Sequence, residues 1–156
     1  QLVRAESDTV VPRGLALFPK AADLHALAAR DLKARGRAEE ALEFTRRAVE
    51  LDSTLPQGVL TIAQAEFDLG RPDSALASLG RAMARGEDTT LVTQFALAKG
   101  NALLRAANAT KARGDYERAL RFFALADSAR STPQSKFLLG TAALSVSRAA
   151  LEDAPK

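Results

Sequence analysis

His25 is the only histidine in this 156-residue chain, and there is no cysteine. An imidazole-based triad or a histidine-rich metal site would have to be built around that single residue, and no motif surrounds it, so it reads as a structural helix residue. Without cysteine, disulfides and thiolate metal sites are excluded. The carboxylate pairs Glu39–Glu40 and Glu152–Asp153 are adjacent in sequence. On a helix they point in different directions, which suits a solvated face and the helix dipole better than acid–base work. Asn108-Ala109-Thr110 matches a glycosylation acceptor but lies inside a helical pattern. No phosphate-cradling glycine loop, dinucleotide fingerprint or nucleophile elbow occurs. The sequence therefore predicts no catalytic residue, no cofactor site and no metal site.

Charge is similarly unspecialised. There are 22 basic and 19 acidic residues, a surplus of +3, and the two signs are interspersed. That balance, with one tyrosine and no tryptophan to stack on bases, argues against a nucleic-acid partner. No run of 18 apolar residues is present, so no membrane-spanning helix is expected. A chain that starts at Gln1 and lacks cysteine fits a processed, exported protein, with a cytoplasmic one as the alternative. The wealth of alanine and arginine suggests a GC-rich bacterial source.

The elements that would position any site are helices. Hydrophobic residues make up 47% of the chain, largely alanine, and aromatics only 5%. Alanine is the strongest helix former, and β-branched residues never alternate over a strand length. The fold class is all-α. One skeleton recurs. Aligned on Gly36, Gly70 and Gly114, an alanine follows five residues later (Ala41, Ala75, Ala119), then a leucine (Leu42, Leu76, Leu120), then a further alanine (Ala48, Ala82, Ala126). The first two glycines are 34 residues apart and the next two 44. Each glycine is placed where a helix ends and positive φ is needed. Acids open the next helix (Glu39, Glu40, Asp73, Asp115, Glu117), bases close the preceding one (Lys33, Arg35, Lys111, Arg113), and Pro72 sits at a first helical turn.

The pattern resembles the tetratricopeptide repeat, a 34-residue helix–turn–helix unit, over about residues 22 to 131. Small residues stand in its first-helix slot (Ala29, Ala63, Ala107), and Phe123 keeps the aromatic slot that Thr45 and Leu79 have lost. Its first-helix Trp and Tyr slots hold His25 and Leu32, Val59 and Glu66, Leu103 and Thr110, and its terminal proline slot holds Ser53, Glu87 and Ser131. The repeats are thus degenerate. The resemblance implies a right-handed α-solenoid of about three units, at 22–55, 56–87 and 88–131. Residues 1–21 would be the remnant of an earlier second helix, broken at Pro12. Residues 132–156 would be a capping helix or the start of a further repeat. The ten extra residues of the third unit predict one helix of roughly 24 residues, about 36 Å long, capped by Asp88 or Thr89. Gly100 inside it would mark a bend or a close contact.

What the resemblance implies for function is a non-enzymatic interaction module, a scaffold or adaptor. Its lining slots map a groove onto Arg30, Lys33, Gln64, Phe67, Asn101, Arg105, Asn108 and Lys111. Amides there would hold a peptide backbone and the cations would hold carboxylates. The alternative is a structural subunit of a larger, possibly cell-envelope, assembly, making contact through Leu91, Val92 and Phe95 at the start of the long helix. Either way the partner is another protein or peptide.

Overall fold

The computed structural model describes residues 2–152, with side chains from Val10 onward; Gln1 and Asp153 lie outside this range. Among the described residues there are eight α-helices and no strand: α1 (Leu2–Leu17), α2 (Ala22–Ala34), α3 (Ala38–Leu51), α4 (Gly58–Asp68), α5 (Pro72–Ala84), α6 (Thr89–Thr110), α7 (Arg113–Ala129) and α8 (Pro133–Glu152). None is long and apolar enough to cross a membrane. The chain forms two compact units, Gln1–Ser78 and Leu79–Lys156, with the boundary inside α5.

In the first unit α2 packs on α1 and α3, and α3 packs on α4. The skeleton alanines are the contact points: Ala29, Ala41, Ala48 and Ala63 are buried, around Leu42 at 0% exposure. Small side chains let helix axes approach, and burying one large apolar side chain such as Leu42 contributes about 1.5–3 kcal/mol. Helix ends follow the glycine rule at Gly36 (φ 76) and Gly70 (φ 74). At each, the following N–H reaches back over the last turn, Arg37 to the carbonyl of Leu32 and Arg71 to that of Glu66. These are Schellman ends, which need a left-handed residue. Gly86 (φ 74) closes α5 in the same way, a stop the sequence pattern did not single out.

A test of these ends is available. No atom lies within 4 Å of a Cβ built on Gly70 or on Gly80, but Gly70 alone of the two has positive φ. Gly70→Val is therefore expected to destabilise by about 1–3 kcal/mol through backbone strain alone. Gly80→Ala, inside α5, should stabilise by up to about 1 kcal/mol. Thermal melts of the two variants moving in the same direction would refute the assignment.

Two expectations are corrected. Pro12 does not break the first helix; α1 runs through it from Leu2 to Leu17. The local penalty is of order 3 kcal/mol, and it is offset by packing on α2, where Val11 is buried and Gly14 lies under Leu24. Gly114 is not the third turn glycine. It lies inside α7, and the left-handed residue is Lys111 (φ 59). The Thr110 hydroxyl accepts from the Ala112 N–H and bonds the Asp115 carboxylate, closing the turn three residues early. The core alanines Ala119 and Ala126 still align with those of the other repeats, so α7 has simply gained a turn at its start.

In the second unit α6 and α7 run antiparallel, and α8 packs on α7. Asp88 caps α6 through the N–H groups of Thr90 and Leu91, and the helix spans 22 residues. Gly100 is the close contact of the pair: a Cβ there would stand 2.7 Å from the Phe123 ring. Thr132 caps α8 by accepting from the Ser135 N–H, while the Ser135 hydroxyl donates to Asp127 of α7. With Ser131 adding a second bond, these hydroxyls hold the Asp127 carboxyl below the usual carboxylate range.

Candidate partner-binding clefts

The sequence-mapped groove residues fall into two separate groups, one in each compact unit. In the first unit a cleft of about 350 Å³ opens between α2, α3 and α4, with Arg30 and Lys33 of α2 on its wall. Its volume comes from small side chains, Ala26, Ala29, Ala41, Ala48 and Ala65, where larger residues would fill the space between helices. The α4 end of the cleft is fixed by Gly58, whose absent Cβ would be 2.6 Å from Val49 Cγ2. Gln57 takes a left-handed conformation (φ 56) to start the helix there.

The cleft floor is apolar in effect. Thr45 and Thr61 line it, but their hydroxyls donate to the carbonyls of Ala41 and Gln57, each four residues earlier in the chain. Arg30 and Lys33 are both exposed and three residues apart on α2, so they present two cations on one helix face. Among the described residues neither has a salt-bridge partner. The arginines beside them do: Arg35 pairs with Asp31, and Arg37 with Glu40. Gln64, also mapped to the groove, does not line this cleft; its amide donates to the Asp68 carboxylate at 2.7 Å. Phe67 is half-buried and outside it.

In the second unit Asn108 and Lys111 line a smaller, more polar cleft of about 230 Å³ with Tyr116, Ser145, Arg148 and Glu152. The buried Tyr116 hydroxyl donates to Asn108 Oδ1, which turns the amide nitrogen the other way. Asn101 and Arg105 line neither cleft. At the start of α6, Val92 is fully buried and cannot be a contact residue. The start of the long helix does not stand alone, because α7 accompanies it almost to that end, where Arg130 reaches Thr90. Leu91 is half-buried, and Lys99 lies over the Phe95 ring at 5.3 Å. His25 is structural: Nε2 bonds the Pro19 carbonyl and the ring packs 5.6 Å from Phe44.

One interaction was missed by sequence reasoning. Glu66, in a slot where the repeat places tyrosine, is 2% exposed. It accepts from Arg46 of α3 at 3.0 Å and from Ser78 of α5 at 2.6 Å. The Arg46 guanidinium, hydrogen-bonded to Glu66, holds its proton more firmly than a free arginine. This triad ties the two helices that form the far walls of the first cleft. A glutamate in an aromatic slot, with arginine one helix earlier, was the available signal.

No protein-family model matches the chain, and no curated protein matches it. Among solved structures it is similar to MamA. Two crystal structures of that protein align with TM-scores of 0.52 and 0.53, at 18% identity, over 97% of this chain and 91% and 85% of theirs. This is a tetratricopeptide-like helical-repeat fold. YrrB, a TPR protein with an unusual peptide-binding site, aligns with a TM-score of 0.45 and 19% identity over 92% of this chain and 88% of its own. Within the tetratricopeptide-like fold the Glu66 triad replaces the aromatic packing of a regular unit, and the lengthened α6–α7 pair departs from the 34-residue period.

Proposed function

We propose that this chain is a non-enzymatic interaction module that holds an acidic peptide segment in the α2–α3–α4 cleft. The observation that carries this reading is the pairing of an apolar floor with two cations, Arg30 and Lys33, that no acidic residue of the described chain neutralises. A carboxylate-bearing segment would place small apolar side chains over the alanines and its charges on the α2 rim. Guanidinium and ammonium groups suit that role, since charge-assisted hydrogen bonds are the stronger class. The polar cleft around Asn108 and Lys111 would be a second contact for the same kind of partner. The rival reading, a structural subunit held through the start of α6, loses support because Val92 is in the core.

The experiment is fluorescence anisotropy with labelled acidic peptides and sequence-matched neutral ones. Acidic peptides should bind in a salt-sensitive way, because exposed ion pairs are screened. Arg30→Glu with Lys33→Glu should weaken that binding at least tenfold, which is about 1.4 kcal/mol, and leave the melting temperature unchanged. Equal binding of the neutral peptides, or indifference to the charge reversal, would rule the reading out.

A further inference from the structure

A bound peptide brings one carbonyl and, proline apart, one N–H per residue, and each needs a partner once water has left. The α2–α3–α4 cleft supplies few. Among its lining side chains only Arg30, Lys33, Thr45 and Thr61 carry hydrogen-bonding groups. Both threonine hydroxyls spend their protons on carbonyls four residues back, at 2.8 and 2.9 Å. In the turn that leads into α4, the Leu55 N–H donates to Asp52, the Gly58 N–H donates to Leu55, and Pro56 has none to offer. The walls are helices, whose backbone groups bond along their own axes. What remains for a guest is the two rim cations and two hydroxyl oxygens. Among the described residues there is no strand edge on which a peptide could pair. An extended segment on this floor would leave most of its backbone dry and unpaired, a cost that an α-helix avoids by bonding to itself.

The walls suit a helix in a second way. Alanines run from the base of the cleft to its mouth: Ala29, Ala41 and Ala48 are buried, and Ala26 of α2 and Ala65 of α4 are half-buried. Small side chains let helix axes come to the close end of the ~8–10 Å packing range. The chain's own helices meet in this manner, Ala119 of α7 with Ala142 of α8. Arg30 and Lys33 are three residues apart, a rise of about 4.5 Å along α2. Acids at i and i+3 repeat that rise on a guest helix lying beside it.

Taking the cleft to hold an acidic segment, as proposed, we infer that the segment binds as an amphipathic α-helix of a partner protein. Its apolar stripe enters between α2 and α4, and carboxylates one turn apart at the edge of the stripe meet Arg30 and Lys33. Short helices are marginal in water, so the segment folds as it binds. Affinity then follows the helix propensity of the partner as well as its charge.

The test uses the full chain and three labelled peptides of about 15 residues, a length at which isolated helices are marginal. Two share one composition: the first sets its apolar residues at helical spacing with glutamates at i and i+3, and the second alternates apolar and polar residues. The third is the first with proline at its centre. Anisotropy should show the first binding at least tenfold more tightly than either of the others, and far-ultraviolet circular dichroism should show helix gained on mixing. Ala65→Leu and Ala26→Leu fill the mouth from opposite walls, and each should abolish that binding with the melting temperature unchanged. Equal, salt-sensitive binding of all three peptides, or tight binding with no gain of helix, would overturn the helical form and leave the acidic-segment reading in place. Binding of the first peptide that survives both filling variants would overturn its placement in this cleft. No binding by any of the three, or binding indifferent to Arg30→Glu with Lys33→Glu, would overturn both.

Discussion

Replacing Arg46 by alanine is expected to destabilise the protein by about 3 kcal/mol, the low end of the range for breaking a buried ion pair. The reason lies with the residue left behind. Glu66 is 2% exposed, and with Arg46 gone its charge would be held only by the Ser78 hydroxyl. The low end applies because the Arg46 side chain is itself 39% exposed and also pairs with Glu43. Solvent reaches its side of the pair and screens part of the interaction. Glu66→Gln should cost less than half as much, since the amide oxygen still accepts from Arg46 while the amide NH2 can donate to the Ser78 hydroxyl, and no buried charge is left. Adding Glu66→Leu to Arg46→Ala should recover much of the loss, because an apolar residue carries no charge to desolvate. Urea midpoints with an unchanged m-value are the measurement. A loss below about 1 kcal/mol for Arg46→Ala would mean that water reaches Glu66 and that the triad does not lock α3 to α4.

That triad also shows where the sequence was legible and where it was not. Turn glycines, dipole-matched acids and the recurring alanines are local signals, each with a physical reason tied to its neighbours in the chain. They led to the all-α class, to the Schellman ends at Gly36 and Gly70, and to the Asp88 cap of α6. Gly114 misled for the same local reason. It looked like the other two glycines, while the side-chain bonds of Thr110 and Asp115 ended the helix earlier. Pro12 misled because its penalty is local and the packing of Val11 and Gly14 on α2 is not.

The candidate site was legible only in part. Family slots put Arg30 and Lys33 on a groove, and both do line a cleft. The same slots named Gln64, whose amide is taken by Asp68 four residues on, a competition that slot position does not encode. Val92 was read as exposed because its helix is unusually long, but length does not show how far a partner helix follows. The α7 helix begins a turn early and reaches Thr90 through Arg130 at the other end. The stripe Phe137–Leu144–Leu151 was present in the sequence at heptad spacing. It lies in the segment read as a capping helix or the start of a further repeat, a reading that does not say which face is buried; Ser135, Ala142 and Ala149 face the core instead.

Phe123→Ala is expected to destabilise by about 3–5 kcal/mol, the largest effect of any single change considered for this chain. The ring is 0% exposed and packs with Ala119 and Ala142, with Leu103, Leu138 and Leu139 alongside. Its position also explains the glycine opposite. A Cβ at Gly100 would lie 2.7, 2.9 and 3.1 Å from three ring atoms, the first two closer than real Cβ atoms approach. An enclosed ring cannot swing aside as a lysine tip could. Gly100→Ala should therefore cost about 1–3 kcal/mol from overpacking, less the ~1 kcal/mol that alanine gains in a helix. The two residues must then be energetically coupled. In a Phe123→Leu background the shorter side chain leaves room for the methyl group, and Gly100→Ala should become neutral or stabilising. The double-mutant cycle should give a coupling of about 1–2 kcal/mol, well above the ~0.5 kcal/mol scatter of independent sites. Strict additivity would mean that α6 and α7 shift apart to admit the methyl group. The close approach at Gly100 would then be a consequence of the lengthened pair and not the contact that sets its spacing.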